Sequence, residues 1–338
     1  MKQYNYCLDF IKGIACVFVV FMHCEFPGLL GIAVQTISRF CVPLFFMVSG
    51  YFCYTSFNIS QKGEVLGDNQ WFFNKKVRHI LKIIFYASLF YLLFVIIQSL
   101  LFNNINWNIG LRKCINFIVF NQPFIIAGQY WFLFALLYVY IMYAIIDKFK
   151  WIKYAYILAF IMFIAYITLA QGMYIAGIRI PNMIYRNFLV EGFAYFMLGH
   201  WIHKNQSRLC ISNRVLLISL TITTFLCLLE RYVLGRDFGV NIVTIPQVFC
   251  LFLYAVRNPH KHKGNIQEIG KRYSMYVYIL HPFVWHSLEF IYRYFNIQSN
   301  TIALYIMPLL VLFISLLLSH VVYLYNLRML NRQRTNYA

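Results

Sequence analysis

An all-α integral membrane protein with about ten transmembrane helices is the fold class this sequence predicts, and three observations carry the prediction. Of the 338 residues, 62% are hydrophobic and only 12% are charged, whereas a soluble domain is about half apolar and about a quarter charged. Apolar runs of about eighteen residues or more recur from end to end, each long enough to cross about 30 Å of hydrocarbon as a helix. The segments between them are short, and no long polar stretch remains for a separate soluble domain. The chain therefore reads as a single membrane-embedded domain over 1–338.

The expected spans are 6–24, 31–54, 80–102, 131–147, 151–171, 187–203, 215–234, 240–256, 274–295 and 301–326. Asp9 and Lys12 interrupt the first apolar run and no polar-to-small cleavage pattern follows, so it reads as a retained span and not a removed signal peptide. In the second span, Pro43 frees a backbone carbonyl and Ser49-Gly50 is the expected weak point of the helix. The segment 55–79 is then the longest loop, polar and basic. Arg112 to Phe120 is too short to cross and is expected on the membrane surface. The fourth span is short, with an earlier start near Gly128 as the alternative.

The formal net charge is +19, with 29 Lys and Arg against 10 Asp and Glu. In a soluble protein that balance would point to nucleic acid. Here the cations sit in short loops between spans, which fits orientation by the positive-inside rule and contact with anionic lipid, with no nucleic-acid partner. With the N-terminus in the cytoplasm, twenty basic residues fall in cytoplasmic segments and seven in external ones. An error of one span would scramble this alternation. The nine cysteines have no C-x-x-C spacing, and most lie inside apolar runs; they read as small apolar residues.

Ionisable groups inside spans cost several kcal/mol unless they face a protein interior or water, so they are the best pointers to a site. Span one carries Asp9, Lys12 and His23. Lys12 and His23 are eleven residues apart, about 20° from sharing a helix face, with Asp9 about 40° from His23. Asp9 and Lys12 also suit a plain i,i+3 ion pair near the interface. His23 has an interfacial reading too, but imidazole is the side chain best suited to take a proton from a hydroxyl near neutral pH. Arg39 lies in the outer third of span two. A helix broken near Pro43 or Ser49 would line a cavity or be an ordinary packing kink.

Further along stand Glu191, Glu230, His281, His286, Glu289 and His320. By depth, His23, Arg39, Glu191, Glu230 and Glu289 fall toward the outer side, and Asp9, Lys12, Ser49 and His281 toward the inner side, giving an outer and an inner polar chamber. Glu230 and Glu289 have adjacent partners in Arg231 and Arg293, and any of these groups suits a satisfied interhelical hydrogen bond. Lys75, Lys76 and Arg78 at the start of span three have the spacing to hold phosphate groups, or simply to anchor the span. His260-Lys261-His262-Lys263 lacks an accompanying carboxylate or thiol and reads as a solvated loop, so no metal site is expected. There is no G-x-S-x-G, Walker loop or H-E-x-x-H to support a serine hydrolase, an ATPase or a zinc protease.

These residues resemble the membrane acyltransferase-3 family, which includes O-acetyltransferases of capsule, O-antigen and related bacterial polysaccharides. Leu8-Asp9-Phe10-Ile11-Lys12-Gly13-Ile14-Ala15 followed by His23 resembles the family's opening helix. Arg39-Phe40-Cys41-Val42-Pro43-Leu44-Phe45-Phe46-Met47-Val48-Ser49-Gly50-Tyr51 resembles its second helix. Lys75-Lys76-Val77-Arg78 is similar to its basic motif, with Lys75 in place of the first arginine; lysine does not reproduce bidentate phosphate binding. Tyr130-Trp131-Phe132-Leu133, Phe196-Met197-Leu198-Gly199 and Ser274-Met275-Tyr276-Val277-Tyr278-Ile279-Leu280-His281 match later signatures in order.

The resemblance implies a bacterial inner-membrane enzyme that takes an acyl group, acetyl being the expected one, from cytoplasmic acyl-CoA to a hydroxyl of a surface polysaccharide or its lipid-linked precursor. Acetyl-CoA or another acyl-CoA would be a co-substrate, with no permanently bound cofactor. The partners would be this donor, a glycan acceptor, membrane lipids and other polysaccharide-assembly proteins. Lys75, Lys76 and Arg78 would hold donor phosphates, and His23 would activate the acceptor or relay the acyl group. Lys12, Arg39 and Ser49 would orient or stabilise groups, with Asp9, Glu191 and His281 lining the site. A polysaccharide or lipid-linked sugar exporter is the rival function, and a membrane sensor a third; the aromatic content of 20% suits sugar stacking and interfacial belts equally.

The basic asymmetry places both termini in the cytoplasm. Reporter fusions at Asn5 and after Ala338 should both report that side; opposite locations would require an odd number of spans.

Overall fold

The computed structural model describes residues 4–61, 69–102, 110–123 and 128–335, with side chains at 4–54, 75–100, 110–123, 128–329 and 331. Lys2 and Lys62 of the charge count lie outside them. Among the described residues all regular structure is helical. In chain order the helices are α1 (Tyr6–His23), α2 (Gly28–Ile37), α3 (Cys41–Gln61), α4 (Asn69–Phe102), α5 (Leu111–Phe120), α6 (Trp131–Lys148), α7 (Ile152–Ile167), α8 (Met173–Ile175) and α9 (Asn182–Tyr185). Then come α10 (Ala194–Asn205), α11 (Asn213–Leu234), α12 (Thr244–Arg257), α13 (Asn265–Glu268), α14 (Ser274–Tyr294) and α15 (Thr301–Thr335). Three π-helical stretches, Thr168–Gly172, Phe188–Phe193 and Ile269–Tyr273, join neighbouring helices.

Each of the expected spans overlaps helical structure, that over 240–256 only from Thr244 onward. Seven stretches among the described residues are long and apolar enough to cross a membrane: Tyr6–His23, Gly28–Tyr54, Lys75–Leu100, Gly128–Lys148, Ile152–Ile175, Asn213–Leu234 and Thr301–Met329. The other three expected spans are shorter or more polar. α12 is 14 residues long, about 21 Å of helix. α10 with its π-helical lead carries Glu191, His200, His203 and Lys204, and α14 carries two histidines, Glu289 and Arg293. Residues 111–120, too short to cross, form a short helix with no buried residue.

Two expectations need correction. The loop foreseen over 55–79 is mostly helix, because α3 runs to Gln61 and α4 begins at Asn69; the residues between, 62–68, lie outside the described ones. Polarity marks where hydrocarbon ends, whereas Gln70, Lys75, Lys76 and Arg78 are good helix formers that let α4 begin before it. The break in span two lies earlier than Ser49-Gly50. It is the 3-10 turn Ser38–Phe40 between α2 and α3. Pro43 thus sits in the first turn of α3, where an N–H would have no intrahelical acceptor and its loss costs little. Ser49 lies within the continuous helix and donates from Oγ to the Phe45 carbonyl at 2.9 Å.

The chain divides into two compact units, residues 1–41 with 212–338, and residues 42–211. In the first unit α1 packs against α2, α12, α13, α14 and α15. Its start is fixed by Asn5, whose Oδ1 accepts from the Leu8 N–H at 2.8 Å, and by the Tyr6 N–H donating to the Pro259 carbonyl at 2.8 Å. Cys16, Val20, Cys24, Val277, Val284, Met307 and Val311 form a buried core of α1, α14 and α15. Gly270 lets the chain approach α1 closely: a Cβ there would lie 1.8 Å from the Asp9 carbonyl oxygen.

In the second unit α6 packs against α4 and the π-helix Phe188–Phe193, and α7 against α10. Aromatic residues fill it, with Phe46 edge-on to Phe132 at 4.8 Å and Tyr140 perpendicular to Phe196 at 5.8 Å. α3 meets α10 backbone to backbone: a Cβ on Gly199 would stand 2.0 Å from the Met47 carbonyl oxygen. Gly199→Ala should therefore destabilise the protein by about 1–3 kcal/mol. At Gly172 the nearest such atom is 3.7 Å away, so Gly172→Ala should be nearly neutral. Thermal unfolding of the two variants in detergent checks the contrast.

Candidate functional site

In the first unit, His23 closes α1 and its ring stacks on that of His281 from α14, with centroids 5.4 Å apart and planes 29° apart. His23 is half-buried, and His281 is fully buried. His281 Nδ1 lies 3.0 Å from the Val277 carbonyl oxygen, which can only accept, so Nδ1 carries the proton and Nε2 presents its lone pair when the ring is neutral. Nε2 is buried with no hydrogen-bond partner among the described residues. The next residue, Pro282, brings no N–H to the helix, which loosens the backbone at the histidine.

The other described histidines make a useful contrast. His200, in the second unit, has Nε2 2.9 Å from the Tyr143 hydroxyl and Nδ1 2.7 Å from that of Tyr156. Both ring nitrogens are satisfied, as a structural histidine in hydrocarbon requires. His262 stacks on Phe10 at 4.5 Å, so the basic tract 260–263 is partly packed on α1.

The stacking of His23 on His281 brings His281, expected on the inner side, to the level of His23. A span beginning at Ser274 puts His281 only seven residues in, but helical backbone already begins at Asn265 through α13 and the π-helix. Gly270 lies against Asp9 and Gly13. Ten residues beyond Gly13 and eleven beyond Gly270, each run has climbed about 15–16 Å, bringing both histidines to one level.

Asp9 and Lys12 form the i,i+3 pair, Nζ to Oδ1 2.9 Å, and the Tyr4 hydroxyl also donates to Asp9. Arg39 is buried in the 3-10 turn and pairs with Asp237, a residue outside the expected spans. Asp237 also accepts from the Gly239 N–H at 2.9 Å, which fixes the turn after α11. Phe18 on α1 meets Phe40 at 6.0 Å, holding the turn of Arg39 on that helix. Glu289 pairs with Arg293 at 2.6 Å, as expected. Glu230 spends its oxygens on the backbone N–H groups of Ile242 and Val243, at 2.9 and 3.2 Å, just ahead of α12.

In the second unit, Lys75, Lys76 and Arg78 lie on α4. Lys75 and Arg78 are exposed and three residues apart, hence on one face. Lys76 turns inward, its Nζ 5.4 Å from the Tyr140 ring centroid and 3.8 Å from Cys53 Sγ. Glu191 is buried within the π-helix Phe188–Phe193, 3.8 Å from Arg186, whose guanidinium lies 5.3 Å from the Trp131 ring centroid. Asn121, also absent from the sequence-based candidates, orders this region: fully buried at φ 50°, it accepts from the Phe188 N–H and donates to the Trp131 carbonyl. π-Helical turns recur at functional sites, and here one carries Glu191 while another leads into the helix of His281.

The model of the acyltransferase-3 family, described as an acyltransferase domain, matches residues 5–324. No curated protein and no solved structure matches the chain.

Removing Asp237 takes the carboxylate from a buried guanidinium, so Asp237→Ala should destabilise by about 3 kcal/mol. Asp237→Ala with Arg39→Met should recover part of the loss in a double-mutant cycle read by unfolding in detergent.

Proposed function

The chain belongs to the acyltransferase-3 family of membrane acyltransferases, and from that premise we propose that it transfers an acetyl group from cytoplasmic acetyl-CoA to a hydroxyl of a surface polysaccharide or its lipid-linked precursor. The observation that carries the chemistry is the stacked pair of His23 and His281, one half-buried and one with a bare buried nitrogen. A sugar hydroxyl has a pKa far above neutral and needs a base within hydrogen-bond reach. His23 takes that proton as the oxygen attacks the thioester carbonyl. The C–O bond forms, the C–S bond breaks, and the proton passes on to the departing CoA thiolate. His281 stands behind His23 as the positioning partner, its ring orientation set by the Val277 carbonyl.

Lys75 and Arg78 supply two cations on the exposed face of α4 for the donor's phosphates, and Lys76 is the inward member of the cluster. Arg39, held by Asp237, is a buried, fixed positive charge in the first unit and suits stabilisation of developing negative charge. Asp9 holds Lys12, so the role of Lys12 is orientation of the α1 stripe. Ser49 and Glu191 belong to the lining of the second unit. The excess of cations in alternate loops supports an inner-membrane location with both termini and the donor cluster on the cytoplasmic side.

Two results test this reading. Arg78→Ala should raise the apparent KM for acetyl-CoA by about tenfold with little change in acceptor KM, and added salt should weaken donor use by the wild type. An unchanged donor requirement returns the cluster to membrane anchoring. His23→Ala and His23→Gln should each lower acyl transfer by about 10²–10⁴-fold at matched protein levels. A histidine with only a structural role would tolerate Gln, so near-normal transfer by His23→Gln removes it from the mechanism.

A further inference from the structure

The second unit carries a groove of about 730 Å³ to which the proposed acyl transfer assigns no role. Its walls are α6, through Tyr138, Ile141 and Ile145, and α7, through Tyr154 and Leu158 with Trp151 just ahead of it, and Phe188 stands at one end. Tyr138 and Phe188 meet edge to face at 5.1 Å and close that end. Ile141, Ile145 and Trp151 are each about half exposed, so in a membrane the groove opens to lipid. From Tyr138 to Ile145, and back from Leu158 to Trp151, each wall is about 10 Å long, most of the roughly 15 Å depth of one leaflet.

The other end reaches the turn between the helices, where the chain places three cations within six residues: Lys148, Lys150 and Lys153. All three are exposed, and among the described residues none forms an ion pair. Lys148 stands seven residues from Ile141, about 20° from the same face of α6, with its Nζ 5.8 Å from the Phe149 ring centroid. Phe149 and Trp151 stack at 5.0 Å beside them, the aromatic pairing that marks a headgroup boundary. One carboxylate, Asp147, shares the turn, leaving a net positive mouth on an apolar groove.

We propose that this groove binds one anionic phospholipid, an acyl chain lying between α6 and α7 and its phosphate at Lys148, Lys150 and Lys153. The charge at the mouth and the leaflet-scale apolar length select this occupant over a neutral lipid or a protein helix. A lipid so placed would brace α6 and α7, the helices that surround His200 in this unit.

Native mass spectrometry of the full-length protein in detergent, titrated with phosphatidylglycerol or phosphatidylcholine of the same chains, tests the proposal. The expected result is a first phosphatidylglycerol bound at least about tenfold more tightly than later ones, with no such step for phosphatidylcholine. The triple variant Lys148→Gln, Lys150→Gln, Lys153→Gln should lose that step and its preference for phosphatidylglycerol. Leu158→Trp, which fills the groove, should lose it with the lysines intact. The triple variant changes only exposed side chains, so it decides the charge requirement even where Leu158→Trp disturbs folding. Equal, graded uptake of both lipids, a first-lipid step that survives the triple variant, or a dimer that carries no lipid would overturn the proposal.

Discussion

A polar or charged side chain carried into hydrocarbon must find its partner within the protein, and much of this structure can be understood as the means of meeting that demand. Arg39 is buried and answered by Asp237; Asp9 and Lys12 answer each other. The Gln247 amide donates to the Thr224 hydroxyl at 3.0 Å and ties α11 to α12. Asn121 joins the end of α5 to the backbone at Trp131 and Phe188, and His200 is held by two tyrosine hydroxyls. Among the histidines of the described residues, His281 is the one whose buried ring nitrogen, Nε2, has no hydrogen-bond partner there. A lone pair left bare in such surroundings costs free energy, and under the proposed mechanism its place beside His23 gives that cost a chemical purpose.

The meeting of the two histidines depends on backbone packing more than on the rings themselves. Gly270 lies against the Asp9 carbonyl and Gly13 against the carbonyl of Ile266, so the helical run from Asn265 starts level with the middle of α1. Helical rise then carries His281 to the height of His23. Buried Val20, Cys24, Val277 and Val284 hold the two helices together at that height. Small residues that allow close approach are the usual currency of helix association in membranes, where burial of apolar surface gives no advantage over lipid.

Much of this was legible in the sequence. Seven of the expected spans coincide with helical stretches long and apolar enough to cross a membrane, because a hydrocarbon crossing imposes length and composition together. His23, Arg39 and the i,i+3 pair of Asp9 and Lys12 were visible as charges where charges are costly. Asp237 was not, since it follows an apolar run as an ordinary loop residue; the usable signal was that a buried arginine requires a carboxylate and the chain has only ten. His281 was singled out at the wrong depth, because hydropathy starts its helix at Ser274 while hydrogen bonding starts it at Asn265. The same gap between polarity and hydrogen bonding turned helical residues of α3 and α4 into an expected loop. Ser49-Gly50 looked like a hinge, but Gly50 is buried in close contact with the Phe196 carbonyl, and glycine alone does not distinguish a hinge from a contact.

The central claim is that this membrane protein moves an acyl group onto a hydroxyl by base catalysis at His23. Purified protein in proteoliposomes, given acetyl-CoA labelled in the acetyl group and a lipid-linked glycan, tests it most directly. The account predicts label in an ester on the glycan, dependent on the protein and lost when His23 is replaced by alanine in a correctly folded variant. Translocation of unlabelled glycan without ester formation, or undiminished labelling by the His23→Ala protein, would contradict it.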